Sequence, residues 1–372
     1  MAVNAAGQLG GQLTVVDGEK VRHTFFDRRG HDARLNLSSN ELVHPAAERL
    51  LDAVAREFTP DLLRQYPRSR STIDTLSAYL QCDSDELLVT PGSDTALRLV
   101  CAYFARRTAG RGEVILQHPN YAAWTETAAL LGLPLRPVPT TGLDLDAQAR
   151  ALIDAAAGSR GALIAVSVPN GPIGGVLTGE QLDRLAESAR ERGHLLVIDS
   201  CYQVFDGPLT AQVARRGGNV LVVQSLSKSH ALAGARVAVL CGATGLLAQL
   251  AAVPLEHAVS APALLALRVA IEQHDRFEAV WRELREVRAG AAAELRSWGL
   301  PVAPSGGNFL SLRLPSAAAA ARTTGALSEA GYRVRDLSDL TGLAGWLRFT
   351  VADTATIERF LPVLKSAVER VG

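Results

Sequence analysis

The chain alternates between two hydrophobic periods. Apolar residues three and four apart predict amphipathic helices over 46–57 and 71–80, while short apolar runs bounded by turn residues predict strands at 86–89 and 113–116. A helix is expected over 122–131, a buried strand over 162–168, and strands at 195–198, 220–224 and 237–240. Pro91-Gly92-Ser93 is a turn that opens another helix, and Thr178 with Gln181 has capping-box spacing at the head of a helix over 178–191. Strands alternating with helices imply a mostly parallel sheet with helices on both faces. In such α/β sheets, ligands bind beyond the carboxyl ends of the strands.

The pattern changes after about residue 250. A long helical stretch over 261–298 leads to strands near 308–314 and 346–351, an Ala-rich helix start at 316–321 and a final helix over 357–371. This reads as a smaller α+β domain. The expected division is a large domain of residues 46–250 and a small domain built from 16–45 and 251–372. The first fifteen residues are expected to be poorly ordered.

With 48% apolar and 20% charged residues, the chain is globular and can bury a sizeable core. Lys plus Arg and Asp plus Glu are both 38, so there is no basic excess to grip a phosphate backbone, and nucleic acid is not an expected partner. Cys82, Cys101, Cys201 and Cys241 lack CxxC spacing and read as reduced thiols of a cytoplasmic protein; no metal site is expected. The first residues show neither a basic n-region nor an apolar h-region. Residues 237–255 run 19 positions without a formal charge, but Gly242, Thr244, Gly245, Gln249 and Pro254 divide them into strand, turn and helix, so no membrane span is expected.

The use of lysine adds something composition alone does not. Only Lys20, Lys228 and Lys365 interrupt a strong preference for arginine. Arginine stays protonated, whereas a desolvated lysine loses its proton and condenses with a carbonyl. Lys228 lies between an apolar strand and a Gly-containing turn. Taken alone it is either that chemical amine or a surface lysine that escaped the bias.

Three strand ends bear on this choice. They are Asp199-Ser200-Cys201-Tyr202, the run from Ser225 to Arg236, and Gly92-Ser93-Asp94-Thr95. An acid, a lysine and a Ser/Gly cradle at a helix start are the parts a pyridoxal phosphate site needs: an amine for the aldehyde, a carboxylate for the ring nitrogen, and donors plus Arg for the phosphate. The ordered set LNLSSNELVHP, RQYPRS, TPGSDTALRL, HPNYAAW, DSCYQVF, SLSKSHALAGARVA and GYRVRDLSDLTGLAGWLRFTVAD resembles the fold-type I pyridoxal-phosphate enzymes of the class I/II aminotransferases. Within them it is similar to the histidinol-phosphate aminotransferase group, from about Asn36 to the C-terminus.

The resemblance implies roles. Lys228 forms the Schiff base and then shuttles a proton; Asp199 pairs with the ring nitrogen; Tyr202 donates to the 3′ oxygen; Tyr121 stacks on the ring. Ser93, Asp94, Thr95, Ser225, Ser227 and Arg236 surround the phosphate, and Tyr66 reaches it from a neighbouring subunit, which implies a homodimer with shared active sites. Arg348 holds an anionic group of the substrate, Arg335 is its companion, and Asn308 supports the pocket. The implied reaction moves an amino group between an amino acid or amino-alcohol phosphate and a 2-oxo acid. One departure stands out. Where the family has two asparagines, this chain has Asn170-Gly171, so the second amide, a donor to the 3′ oxygen, is missing. That keeps open a decarboxylase, cyclase or oxidase on the same scaffold. His230 and Cys201 also differ from the usual neighbours and read as packing residues, with acid or base chemistry open to His230.

Overall fold

The computed structural model describes residues 34–140, 143–207, 217–251 and 257–370, together with the antiparallel strands Leu13–Val16 and Glu19–Arg22. Apart from that strand pairing, the expectation for the first fifteen residues lies outside the described residues.

Seven strands form the central sheet: β1 (Leu87–Thr90), β2 (Val114–His118), β3 (Leu135–Pro139), β4 (Leu163–Ser167), β5 (Leu195–Asp199), β6 (Val220–Ser225) and β7 (Ala238–Gly242). Their spatial order is β1-β7-β6-β5-β4-β2-β3. β2, β3, β4, β5 and β6 are joined by parallel ladders, and β7 runs antiparallel to both β6 and β1. Every residue of β4, β5 and β7 is buried. Helices cover both faces, which is why these strands read as unbroken apolar runs without alternation.

Topology brings the reactive strand ends together. Ser167, Asp199 and Ser225 close three successive parallel strands, with Ser167 opposite Asp199 and Asp199 opposite Val223. Because β7 is reversed, it starts where its neighbours finish, and Ala238 pairs with both Thr90 and Ser225. The residues just before β7, including Arg236, therefore arrive at the same edge of the sheet.

The smaller α+β part is built on a three-stranded antiparallel sheet of β8 (Phe309–Arg313), β9 (Arg335–Asp336) and β10 (Trp346–Thr350), with β10 central. Helices Ala317–Glu329 and Thr354–Glu369 accompany it, capped by Ser316 and Asp353, whose side chains accept from backbone N–H groups of the first turn. The segment Leu35–Asn36 pairs in parallel with Tyr332–Arg333, and Thr350 N–H donates to Leu37 O at 2.8 Å, so the segment before the large domain belongs physically to this sheet.

The helical stretch expected over 261–298 divides at Gln273 into Ala261–Glu272 and His274–Ser297. The first is buried on most sides, whereas the second buries one stripe through Phe277, Val280, Trp281 and Leu284; the split falls where that burden changes. Residues 237–251 fold as β7 and a helix over Thr244–Ala251. Among the described residues, no helix is long and apolar enough to cross a membrane.

Candidate active site

Three consecutive residues, Ser38, Ser39 and Asn40, each hold one functional side chain. Lys228 Nζ donates to Ser39 O at 2.7 Å, Arg348 Nη2 donates to Ser38 O at 2.9 Å, and Asn40 Nδ2 donates to Tyr202 Oη at 3.0 Å. Lys228 comes from the turn after β6, Tyr202 from the loop after β5, and Arg348 from β10. The segment thus ties an amine, a guanidinium and a phenol from separate elements into one pocket. Sequence reasoning missed this, although the polar Ser-Ser-Asn run after Leu37 was a signal: Asn is among the few side-chain-bearing residues that enter left-handed backbone easily, and Asn40 has φ +56°.

Asp199 ends β5 and is 7% exposed. Its Oδ1 accepts the Cys201 N–H at 3.1 Å, and the Cys201 thiol also bonds to its carboxylate. Burial pushes the carboxyl above its usual range despite these donors, and among the described residues no cation pairs with it. Burial likewise pushes the Cys201 thiol well up and the Tyr202 phenol up, so both stay protonated at neutral pH. Tyr202 also packs edge-on against Phe309, with ring centroids 5.1 Å apart.

The cradle forms at the start of helix Gly92–Arg107, whose first turn has no side-chain cap and contains Ser93, Asp94 and Thr95. Its N–H groups are open to an anion. Asp94 turns its carboxylate to Arg236 Nη2, 3.1 Å away, and to the Tyr121 hydroxyl. Burial, then Asp94, pushes the Tyr121 phenol up. Gly92, at φ +77°, lies so close beneath Arg236 that a Cβ there would meet Nη2 at 2.8 Å. Ser225 and Ser227, whose hydroxyls are 3.0 Å apart, approach from the other side of β7. Thr95 spends its hydroxyl on Pro91 O, at 3.0 Å, so its contribution to an anion is the backbone N–H.

On the opposite wall, Arg348 is half-buried, lies 5.3 Å over the Phe309 ring and leaves Nε without a partner. Arg335 faces it across the β9–β10 ladder, but its Nη2 is bonded to both oxygens of Asp339 at 2.9 and 2.8 Å. Asn308 is buried and donates to Asn40 O at 3.1 Å, so it braces the segment that carries the pocket. Asn170 gives Nδ2 to Pro119 O at 3.2 Å and leaves a buried Oδ1 unpartnered. Tyr66 is 79% exposed, its ring 4.9 Å from His257.

His230 belongs to the core. It packs against Phe277 and Trp281 at 4.8 and 5.0 Å, and its Nδ1 is 2.8 Å from Ser229 Oγ. Burial pushes its imidazole down to about 3, so it is neutral under working conditions. Trp281 Nε1 donates to Ser229 O at 2.8 Å, so this aromatic cluster fixes the backbone following Lys228.

A sequence profile of the family described as aminotransferase class I and II matches residues 33–364. The chain belongs to that family. A curated relative, histidinol-phosphate aminotransferase from Xanthomonas euvesicatoria pv. vesicatoria, is 31% identical over 92% of both chains. Among solved structures, histidinol-phosphate aminotransferase from Sinorhizobium meliloti in complex with pyridoxal-5′-phosphate superposes with a TM-score of 0.75 at 20% identity, over 91% of this chain and 90% of that one. L-Threonine-O-3-phosphate decarboxylase from Porphyromonas gingivalis superposes with a TM-score of 0.76 at 20% identity, over 90% and 99%. The chain is thus a pyridoxal-phosphate-dependent aminotransferase of fold type I.

The residues present fit that cofactor. A buried carboxylate with no cation beside it among the described residues suits a protonated ring nitrogen. The uncapped helix start under Arg236 suits a phosphate, and the Lys228 amine lies on the same strand-end edge.

Proposed function

We propose that this aminotransferase moves an amino group between a small anionic amine, an amino acid or an amino-alcohol phosphate such as histidinol phosphate, and a 2-oxo acid. The supporting observation is the convergence of Lys228 Nζ, Arg348 and Tyr202 on Ser38–Asn40, which sets a transferable amine beside an anion-binding guanidinium. Pyridoxal phosphate, when bound, supplies the aldehyde and the electron sink. Lys228 would hold it through its amine and carry a proton on Nζ. Asp199 would keep the ring nitrogen protonated, Tyr202 would donate to the 3′ oxygen, Tyr121 would cover the ring and Asn170 would line the pocket. Ser93, Asp94, Thr95, Ser225, Ser227 and Arg236 hold the phosphate. Arg348 would take the substrate anion, Arg335, held by Asp339, would stand beside it as its companion, and Asn308 supports Asn40.

Incubating the holoenzyme with L-histidinol phosphate or amino acids and 2-oxoglutarate tests this. Glutamate and a keto product are expected. Carbon dioxide, or peroxide formed with consumption of dioxygen, without glutamate would favour the decarboxylase or oxidase reading that Gly171 leaves open. Arg348→Gln removes a fork whose two hydrogen bonds to an anion contribute about 1.5–3 kcal/mol each, so kcat/KM for the amine should fall about 10²-fold or more. The visible spectrum of the bound cofactor should not change; an unchanged kcat/KM, or a loss of the spectrum itself, would place Arg348 elsewhere.

The proposed division is a large domain of residues 46–250 and a small one of 16–45 plus 251–372, supported by the separate seven-stranded and three-stranded sheets, and the proposed cytoplasmic location is supported by cysteines that form no disulfide among the described residues. Homodimerisation is supported by the exposed apolar surface of Leu51, Phe58, Leu63 and Tyr66. If Tyr66 serves the partner's site, mixing Tyr66→Ala and Lys228→Ala subunits should restore about one quarter of wild-type activity, because half of the dimers are hybrid and each has one intact site. A mixture as inactive as its parents would exclude shared sites.

A further inference from the structure

Gly171 leaves the corner beside Tyr202 without its amide, and another part of the chain provides one. A Cβ at Gly171 would stand 3.5 Å from Tyr202 Cε2, so a side chain there would run along the edge of that tyrosine. In its place, Asn40 Nδ2 lies 3.0 Å from Tyr202 Oη. We infer that Asn40 is a positioning residue that takes over from the amide missing at Gly171, fixing the Tyr202 hydroxyl so that its proton is donated to the 3′ oxygen of the cofactor. The inference rests on the pyridoxal-phosphate reading of the site.

The orientation of the Asn40 amide is set by its neighbours. Thr350 Oγ1 accepts the Asn40 N–H at 3.0 Å and directs its own proton to Asn40 Oδ1, 3.3 Å away. The oxygen end of the amide is thereby committed to Thr350, and the nitrogen end faces Tyr202. Since Nδ2 can only donate, Oη must accept, and its own proton is free to go onward. Donor chains of this kind polarise one another. Asn308 Nδ2 holds the Asn40 carbonyl at 3.1 Å, and Phe309 fixes the plane of the tyrosine ring. Asn40 is fully buried at φ +56°, a backbone conformation that glycine would adopt with less strain, so the amide is there for its contacts.

Spectrophotometric titration of the holoenzyme tests this without relying on turnover. Donors to the 3′ oxygen stabilise its anionic form and lower the pH at which the visible band titrates, so losing one raises it. Asn40→Gly keeps the positive φ and should raise the titration midpoint by about one pH unit. Asn40→Asp turns a donor into an acceptor for the Tyr202 proton and should raise it further. Gly171→Asn in the Asn40→Gly background should bring the midpoint back toward wild type, and in a Tyr202→Phe background Asn40→Gly should add no more than about 0.2 unit. A folded Asn40→Gly protein that titrates like wild type would overturn the inference, as would a full shift from Asn40→Gly in the Tyr202→Phe background. Should the wild type itself show no visible band, the cofactor reading of the site would fail as well.

Discussion

Replacing Lys228 by alanine should lower turnover by about 10⁴-fold or more, since it removes both the nucleophilic amine and the proton carrier, and positioned proton transfer alone contributes 10²–10⁴-fold. Among the described side chains the amine has no substitute. Lys365 is on the last helix, 5.8 Å over the Trp298 ring, and Arg236 cannot give up its proton to become a nucleophile. Lys228→Arg should therefore be as inactive as Lys228→Ala, although it keeps the charge. Both variants should fold, because Lys228 is only partly buried and its Nζ bonds to a backbone carbonyl, a contact of modest net contribution. The visible band of the covalently bound cofactor should disappear. Borohydride reduction followed by peptide mapping should label Ser227-Lys228-Ser229-His230 in the wild type and nothing in either variant. A label on Lys365, or activity surviving in Lys228→Arg, would contradict the assignment.

The parts of the site that were readable in the sequence are those whose signal is local. Asp199 and Ser225 stood out because β5 and β6 open as apolar runs, Leu195–Ile198 and Val220–Val223, and the polar residues that end them, Asp199 and Gln224-Ser225, mark the ligand-binding edge. β3 was invisible for the opposite reason. It is an edge strand with Pro137 and Pro139, largely exposed, and lacks both the apolar run and the alternation that identify a strand. The Leu145–Ala157 helix was passed over too, although Asp144 accepts from Ala147 N–H as a cap. The reversal of β7, which delivers Arg236, is a property of the whole sheet. The Ser38–Asn40 segment was least accessible of all. Two of its three functional contacts go through backbone carbonyls, which every residue has, and their partners lie 189 and 310 positions away. The bond from Arg335 to Asp339 shows the same limit. The spacing resembles a helical pair, yet it bridges the turn after β9, and only the fold shows that this arginine is engaged.

Asp199→Asn should move activity and apoprotein stability in opposite directions. In the apoprotein the carboxylate is buried with a backbone amide and a thiol as donors and no cation beside it among the described residues, so its pKa lies above the ordinary carboxyl value of about 3.9. The unfolded chain therefore releases this proton at lower pH than the folded one. As pH rises from about 4 through the raised value, ionisation favours the unfolded state, and each unit of separation costs about 1.4 kcal/mol. Asparagine removes that cost and can still accept the Cys201 N–H. The apo variant should thus melt higher than apo wild type at neutral pH, with the gap closing below about pH 4, in calorimetry with cofactor stripped from both. Activity should change the other way. Neutral asparagine cannot hold the ring nitrogen protonated, and loss of one preorganised electrostatic group of this kind costs about 10²–10³-fold in kcat. The same carboxylate thus opposes folding until a cation is placed against it, and cofactor binding supplies one. If the apo variant melted below wild type at pH 7, or if kcat stayed within a few-fold, Asp199 would be a structural cap of the loop after β5 and the ring nitrogen would have to find its counter-charge elsewhere.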